Sequence, residues 1–357
     1  MAVRLKGVFV NFVLMNLISL IIPVYNRPQE VEELLESLSR QTDPHFEVVI
    51  AEDGSTVDSK EVVDRYKDRL DISYHTQPNG GPSSARNLGA RHAKGDFFIF
   101  MDSDCLVPAG YFETVNRRVR QESIEFFGGA DSAAPDFSPL QKAVSYSMTS
   151  IFTTGGIRGK KKSLGKYSPR SFNLGISREL FERVGGFTDM RIGEDIDFSF
   201  RVLATGAKAV FLEDATVCHK RRTSMRLFFK QVFIFGVARV NLNIRHPRTR
   251  RALFLLPALF TLGSLALIIA AIVLIASAIP QGWWLLSPLV LLMLLWFIDS
   301  TVRTRSLRIG WLSIWTSFIQ LYGYGLGFLY GVWMRRIRKM SEKETYKVTR
   351  YFSQKTR

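Results

Sequence analysis

The sequence predicts an α/β domain, built on a mostly parallel sheet with helices on both faces, followed by a C-terminal helical membrane region. Three observations predict it. Between about residues 17 and 105, β-branched apolar runs alternate with amphipathic segments in the order β-α-β-α-β-α-β, the pattern of a parallel sheet. From Ala252 to Ile298 no residue is charged, and about 20 apolar residues suffice for one crossing. Lys and Arg number 48 against 32 Asp and Glu, a net charge of +16 in 357 residues, which calls for anionic partners. The uncharged stretch makes a membrane the first of these, and nucleic acid is not expected.

Each element can be justified in order. Residues 1–16 carry two positive charges and an apolar stretch, but no small-residue cleavage site follows. They read as an extension before a strand, with Met15 an alternative start. The run "LISLIIPVY" is the first strand, covered on both faces. Pro28 suits the first turn of a helix, and Val31, Leu34, Leu35 and Leu38 share one helical face. "FEVVIAEDGST" repeats the strand and ends in an acid-Gly turn; "SKEVVDRYKDRL" is helical; "ISYHTQ" is a short strand. "GGPSSARNLGARHAKG" is loop, then helix, then a Gly stop, and "DFFIFM" is the fourth strand. Residues 106–220 are less regular. "RELFERVGGF" is a short helix stopped by Gly185-Gly186, and "GEDIDFSFRVLATG" is a helix that opens on acids. The basic, Gly-rich 155–170 reads as a loop whose Lys160–Lys162 run is most simply solvated, with closure over a ligand or contact with a lipid phosphate as the alternatives.

In such sheets ligands bind beyond the carboxyl ends of the strands. Those ends carry Pro23, Tyr25 and Asn26; then Glu52, Asp53 and Gly54; then Asn79, Gly80 and Gly81; then Asp102, Ser103 and Asp104. Neither G-x-G-x-x-G after the first strand nor a P-loop occurs. Alternation on an extended strand end puts the Asp102 and Asp104 carboxylates on one side. Like charges so close require a cation, and carboxylate oxygens select Mg²⁺ or Mn²⁺, ions that also bind phosphate. The two cysteines, Cys105 and Cys218, imply no disulfide framework, and Cys105 reads as packing.

The stretches "SLIIPVYNR", "AEDGST", "NGGPSSARNLGA", "GDFFIFMDSD", "SFNLGISRELFERVGGF" and "GEDIDFSFR" resemble, in order, those of family 2 glycosyltransferases with a GT-A fold. They cover about residues 17–220. The resemblance implies a nucleotide-diphospho-sugar donor, UDP-, GDP- or dTDP-linked. It places Pro23, Tyr25, Asn26, Asp53, Gly81, Arg86, Asp102 and Ser103 around that donor. Asp102 and Asp104 hold Mn²⁺ or Mg²⁺, with His219 as a further ligand. Asp195, beside Glu194, is the general base of a single inverting displacement, with Asp197 in reserve. One departure stands out: the Q-x-x-R-W of processive synthases reads "QVFIF" at Gln231, which points to transfer of one or a few sugars.

The resulting division is an extension (1–16), a catalytic domain (17–222), an interfacial amphipathic helix (223–250), a membrane region (251–335) and a basic cytosolic tail (336–357). The membrane region would hold helices at about 253–279, 283–300 and 310–333, the last either crossing or interfacial. The expected setting is a cell-membrane glycosyltransferase, hexosyltransferase-like, with a cytosolic catalytic domain and a lipid-linked or glycan acceptor. Two alternatives remain at this point: a polyprenyl-phosphate sugar synthase, and a membrane-anchored protein that binds nucleotide sugar without turnover.

Overall fold

The structure is a computed structural model and describes residues 17–132, 137–154, 167–190 and 192–346. Met15 and the Lys160–Lys162 run lie outside the described residues. The strands are β1 (Ile18–Val24), β2 (Phe46–Glu52), β3 (Ile72–Thr76), β4 (Phe97–Phe100), β5 (Cys105–Leu106), β6 (Phe126–Ser132), β7 (Leu174–Ser177) and β8 (Val210–His219). The α-helices are α1 (Pro28–Leu38), α2 (Lys60–Asp64), α3 (Pro82–His92), α4 (Tyr111–Glu122), α5 (Pro139–Thr149), α6 (Ile151–Thr154), α7 (Arg178–Val184), α8 (Glu194–Ala204), α9 (Met225–Arg245), α10 (Leu256–Ala276), α11 (Ser287–Thr304) and α12 (Leu307–Val332). These elements form two compact units, one lying within Met1–Ser132 and Tyr167–His219, the other within Ala133–Lys166 and Lys220–Arg357.

In the first unit one sheet runs β3-β2-β1-β4-β7-β6-β8-β5. The β3-β2-β1-β4 half is parallel, as its apolar runs predict. β7 then enters antiparallel between β4 and β6, so the sheet is mixed. The four-residue "LGIS" is too short for its pattern to disclose a direction. Gly175 permits the close pairing, since a Cβ there would lie 2.0 Å from the Phe127 ring.

Alternation along β1 sorts its side chains to two cores. Ile18, Leu20 and Ile22 pack with Val31, Leu34, Leu35 and Leu38 of α1, all buried. Ile21 faces the other way, into Phe98, Phe100, Leu180, Phe198 and Val202. The stripe read from α1 is therefore the stripe it buries. Truncating a fully buried leucine such as Leu35 to Ala costs about 2–5 kcal/mol.

The second unit is helical. Its α5 and α6 lie within the residues assigned by sequence to the 17–222 domain, yet they group with the C-terminal helices. α12 is its central element. α9 runs parallel to it at very short range: a Cβ on Gly327 would lie 2.0 Å from Phe233 O, and one on Gly236 would lie 2.2 Å from Tyr324 O. α11 returns antiparallel, with Ser300 and Ser313 hydroxyls 2.7 Å apart and Trp296 edge-on to Phe318. Among the described residues, three stretches are long and apolar enough to cross a membrane: Met225–Arg245, Ala252–Ala276 and Pro280–Thr304.

Candidate active site

The carboxyl ends of β1 and β2 are tied by one side chain. Asn26 takes a positive φ of 54°, which asparagine tolerates better than most residues. Its Oδ1 accepts from the amides of Thr56 and Val57 at 2.8 and 3.0 Å. Its Nδ2 is buried and has no partner among the described residues. Pro23, beside it in β1, is half-buried opposite Ala51, and Tyr25 is exposed.

Asp53 organises the next loop. Oδ1 accepts from Gln77 Nε2 at 2.7 Å and Gly80 N at 2.8 Å, and Oδ2 accepts from Gly81 N at 2.8 Å. Gly81, with φ of +90°, then opens α3. Both Asp53 oxygens thus serve the loop that starts the Arg86 helix. Glu52 is equally committed, accepting from Ser59 N at 3.0 Å and Tyr74 OH at 3.2 Å.

Arg86 is buried, and its two terminal nitrogens reach two different motifs. Nη2 donates to Asp102 Oδ1 and Nη1 to Glu194 Oε1, each at 2.8 Å. One planar guanidinium therefore joins the end of β4 to the start of α8. Burial pushes the Glu194 carboxyl up to about 7; Arg86 opposes that shift and neighbouring Asp195 adds to it. Ser103, between the two aspartates, is buried.

Asp104 points to a different partner. The short β5 pairs antiparallel with β8, setting Cys105 opposite His219. This brings His219 Nε2 to 3.0 Å from Asp104 Oδ1. Ligand atoms of Asp104, Cys105 and His219 all lie within 4.8 Å of one another. A carboxylate oxygen and an imidazole nitrogen suit Mn²⁺, and the carboxylate suits Mg²⁺. Burial, reinforced by Asp104 and Asp102, holds the Cys105 thiol well above its ordinary value, and sulfur is a soft ligand that suits a hard ion poorly. The donor set fits a hard divalent ion. Asp102 is not in this cluster; its carboxylate is turned to Arg86.

Glu194, Asp195 and Asp197 share the first turn of α8, where the helix dipole favours acids. Asp197 is buried and accepts from Thr188 Oγ1 at 2.8 Å and Arg201 Nε at 3.0 Å. Glu194 is taken by Arg86. Asp195 keeps Oδ1 on the Ile196 amide at 2.8 Å and turns Oδ2 towards Arg170, 3.6 Å away. Two arginines at this edge escaped the sequence reading. Arg170 faces Asp195, and Arg27 Nη1 lies 3.6 Å from Asp104 Oδ2. Arg27 follows Asn26 at a strand end, a position that could have drawn notice; Arg170 had no local signal.

Residues 19–184 match the family model of glycosyl transferase family 2. The chain is 26 % identical over 218 residues to the glycosyltransferase GlyG of Streptococcus pneumoniae, covering 58 % of this chain and 72 % of that one. It is 28 % identical over 211 residues to the uncharacterized glycosyltransferase EpsJ of Bacillus subtilis, covering 57 % of this chain and 61 %, less than two thirds, of that relative. Among solved structures, the mannosyltransferase PcManGT of Pyrobaculum calidifontis, in complex with GDP-Man and Mn²⁺, superposes with a TM-score of 0.53 at 18 % identity. That superposition covers 87 % of this chain and 86 % of the other, and it shows a shared GT-A fold. With the family match lying across the strands that carry the acidic edge, residues 19–184 form a glycosyl transferase family 2 domain, and the chain is a glycosyltransferase.

Proposed function

We propose that the chain is a membrane-bound, metal-dependent, inverting glycosyltransferase that moves a single sugar from a nucleoside-diphosphate sugar to a lipid-linked or glycan acceptor. The observation that carries this reading is the 3.0 Å approach of His219 to Asp104 beside the Arg86-bridged Asp102. It supports a divalent-ion site at the edge where a nucleoside diphosphate would leave. The GDP-Man and Mn²⁺ bound by PcManGT agree with that chemistry.

In this reading Asp104 and His219 would hold Mn²⁺ or Mg²⁺, with Asp102 near the ribose and the ion. When bound, the ion supplies Lewis-acid stabilisation of charge developing on the leaving diphosphate. Pro23, Tyr25 and Asn26 border the nucleoside, with Asn26 Nδ2 free to donate to it. Asp53 shapes this pocket by fixing the Gly80-Gly81 backbone. Ser103 and Gly81 line the approach. Asp195 takes the proton of the acceptor hydroxyl, because Glu194 is occupied by Arg86 and acts as a positioning residue. The hydroxyl oxygen then attacks the anomeric carbon as the bond to phosphate breaks, giving inversion.

The helical unit supports two membrane spans. Pro257, Thr261 and Ser264 at the start of α10 meet Gly325 and Tyr322 of α12. Trp296 and Ser300 at the end of α11 meet Phe318 and Ser313. α12 thus crosses the foot of an α10–α11 hairpin whose remainder is apolar and exposed at Ile269, Ile272 and Leu291. The 21- and 18-residue helices measure about 30 Å end to end, foot included, and their exposed apolar remainder enters the bilayer. α12 and its parallel neighbour α9 then lie along the interface.

Release of nucleoside diphosphate by the purified chain, supplied with nucleotide sugars and a membrane-lipid extract, tests the reading. Turnover with Mn²⁺ or Mg²⁺ that stops with EDTA is expected. Turnover indifferent to EDTA, or none with any donor, would contradict it.

A further inference from the structure

The end of the second unit where α9 and α12 finish collects positive charge around exposed apolar side chains. The two helices are parallel and in step, with Val232 against Gly323 and Val240 against Gly331. Residues 245–251 therefore arrive beside residues 335–342, and Arg245 Nε donates to Glu342 Oε2 at 2.9 Å. Neither 245–251 nor 333–341 contains an acid. Glu342 is occupied by Arg245, and Glu344 accepts from Ser341. Arg248, Arg250, Arg336, Arg338 and Lys339 are all exposed.

The apolar half of the surface is equally specific. Leu255, Leu256, Trp333 and Ile337 are 44, 52, 44 and 68 % exposed among these cations. The Arg338 guanidinium stands 5.5 Å over the Trp333 ring. Tryptophan and arginine together anchor a protein at the depth of lipid headgroups. The patch continues without a polar break into Leu259 and Leu262, on the exposed side of α10. A nucleotide or nucleic-acid surface would have no use for that apolar continuation.

We propose that this end of the helical unit binds the headgroups of anionic phospholipids in the leaflet that α10 enters. The inference rests on the two-span reading above. Exposed arginines on the ends of two parallel helices give several phosphate contacts at one depth. Leu255, Leu256 and Ile337 set that depth by entering the acyl region.

Native mass spectrometry of the full chain, released from nanodiscs of equal phosphatidylglycerol and phosphatidylcholine, tests it. Retained lipid should be enriched about tenfold or more in phosphatidylglycerol. The enrichment should fall to near unity in R248Q/R250Q/R336Q/R338Q, and in the unaltered chain at high salt, an arm that does not depend on the variant folding. Equal retention of the two lipids by the unaltered chain, or an enrichment that neither salt nor the four substitutions reduces, would overturn the proposal while leaving the membrane reading intact. A chain that will not enter nanodiscs at all would overturn both.

Discussion

Arg86 Nη1 lies 2.8 Å from Glu194 Oε1, and through this contact the third helix of the sheet domain holds the first turn of α8. The same guanidinium binds Asp102, so the two acidic motifs of the site are fixed to each other by one buried cation. Removing it strands two carboxylates. Loss of one member of a buried ion pair costs about 3–5 kcal/mol. Arg86→Ala should therefore lower the stability of the sheet domain by about that amount in denaturant titrations. Arg86→Lys, a point charge without the fork, should recover only part of it. An unchanged midpoint in both variants would deny Arg86 the bridging role.

The acid that Arg86 holds gives the stability a pH dependence. Glu194 sits at about 7 in the folded chain, above the ordinary value of 4.5, because burial disfavours its charge. The folded state thus binds the proton more tightly than the unfolded one. Its contribution to stability is complete below pH 4.5 and is lost as pH rises through 7. Melting curves between pH 5 and 8 should show a decline attributable to this group, and Glu194→Gln should flatten it. A slope identical in the variant would place the titration elsewhere.

Asp195→Asn separates chemistry from binding. The variant keeps the size of the side chain and loses the base, so kcat should fall about 10²–10⁴-fold while donor affinity stays within about twofold. Single-turnover kinetics with donor calorimetry on the same sample would measure both. Full turnover in the variant would remove Asp195 from proton transfer and favour a lipid-phosphate acceptor, which needs little help from a base.

The helical unit makes its own prediction. Gly327 abuts the Phe233 carbonyl so closely that a methyl group must move α9 from α12. Backbone cannot yield as a flexible side chain does, and such overpacking costs about 1–3 kcal/mol. Gly327→Ala should lower the thermal midpoint in detergent, whereas Gly263→Ala, with open space around it, should not. Equal effects would mean that the helices do not approach as described.

Much of this was legible in the chain. The apolar runs of β1, β2 and β4, with Asn26 at the end of the first and acids at the ends of the other two, announced a sheet with a polar carboxyl edge, and the spacing of Val31, Leu34, Leu35 and Leu38 announced the face that α1 buries. Local patterns sufficed there because burial on both faces leaves a contiguous signal. They did not suffice for β7, whose direction is set by its neighbours, nor for α5, whose side chains pack on helices far along the sequence. The same limit holds in the site. That Asp102 and Asp104 turn to different partners follows from the β5–β8 register and from Arg86, both long-range. In sequence only Ser103 separates the two carboxylates; in the fold Asp102 meets Arg86 and Asp104 meets His219.

The central claim is that Asp104 and His219 hold a divalent ion for a nucleoside-diphosphate sugar. Calorimetric titration of UDP-, GDP- and dTDP-sugars into the purified chain, with Mn²⁺ and then with EDTA, tests it most directly. One donor class should bind with Mn²⁺ and lose at least about tenfold in affinity with EDTA, and both Asp104→Asn and His219→Ala should show the weakened affinity even with Mn²⁺ present. Donor binding unaffected by EDTA and by both substitutions would contradict it.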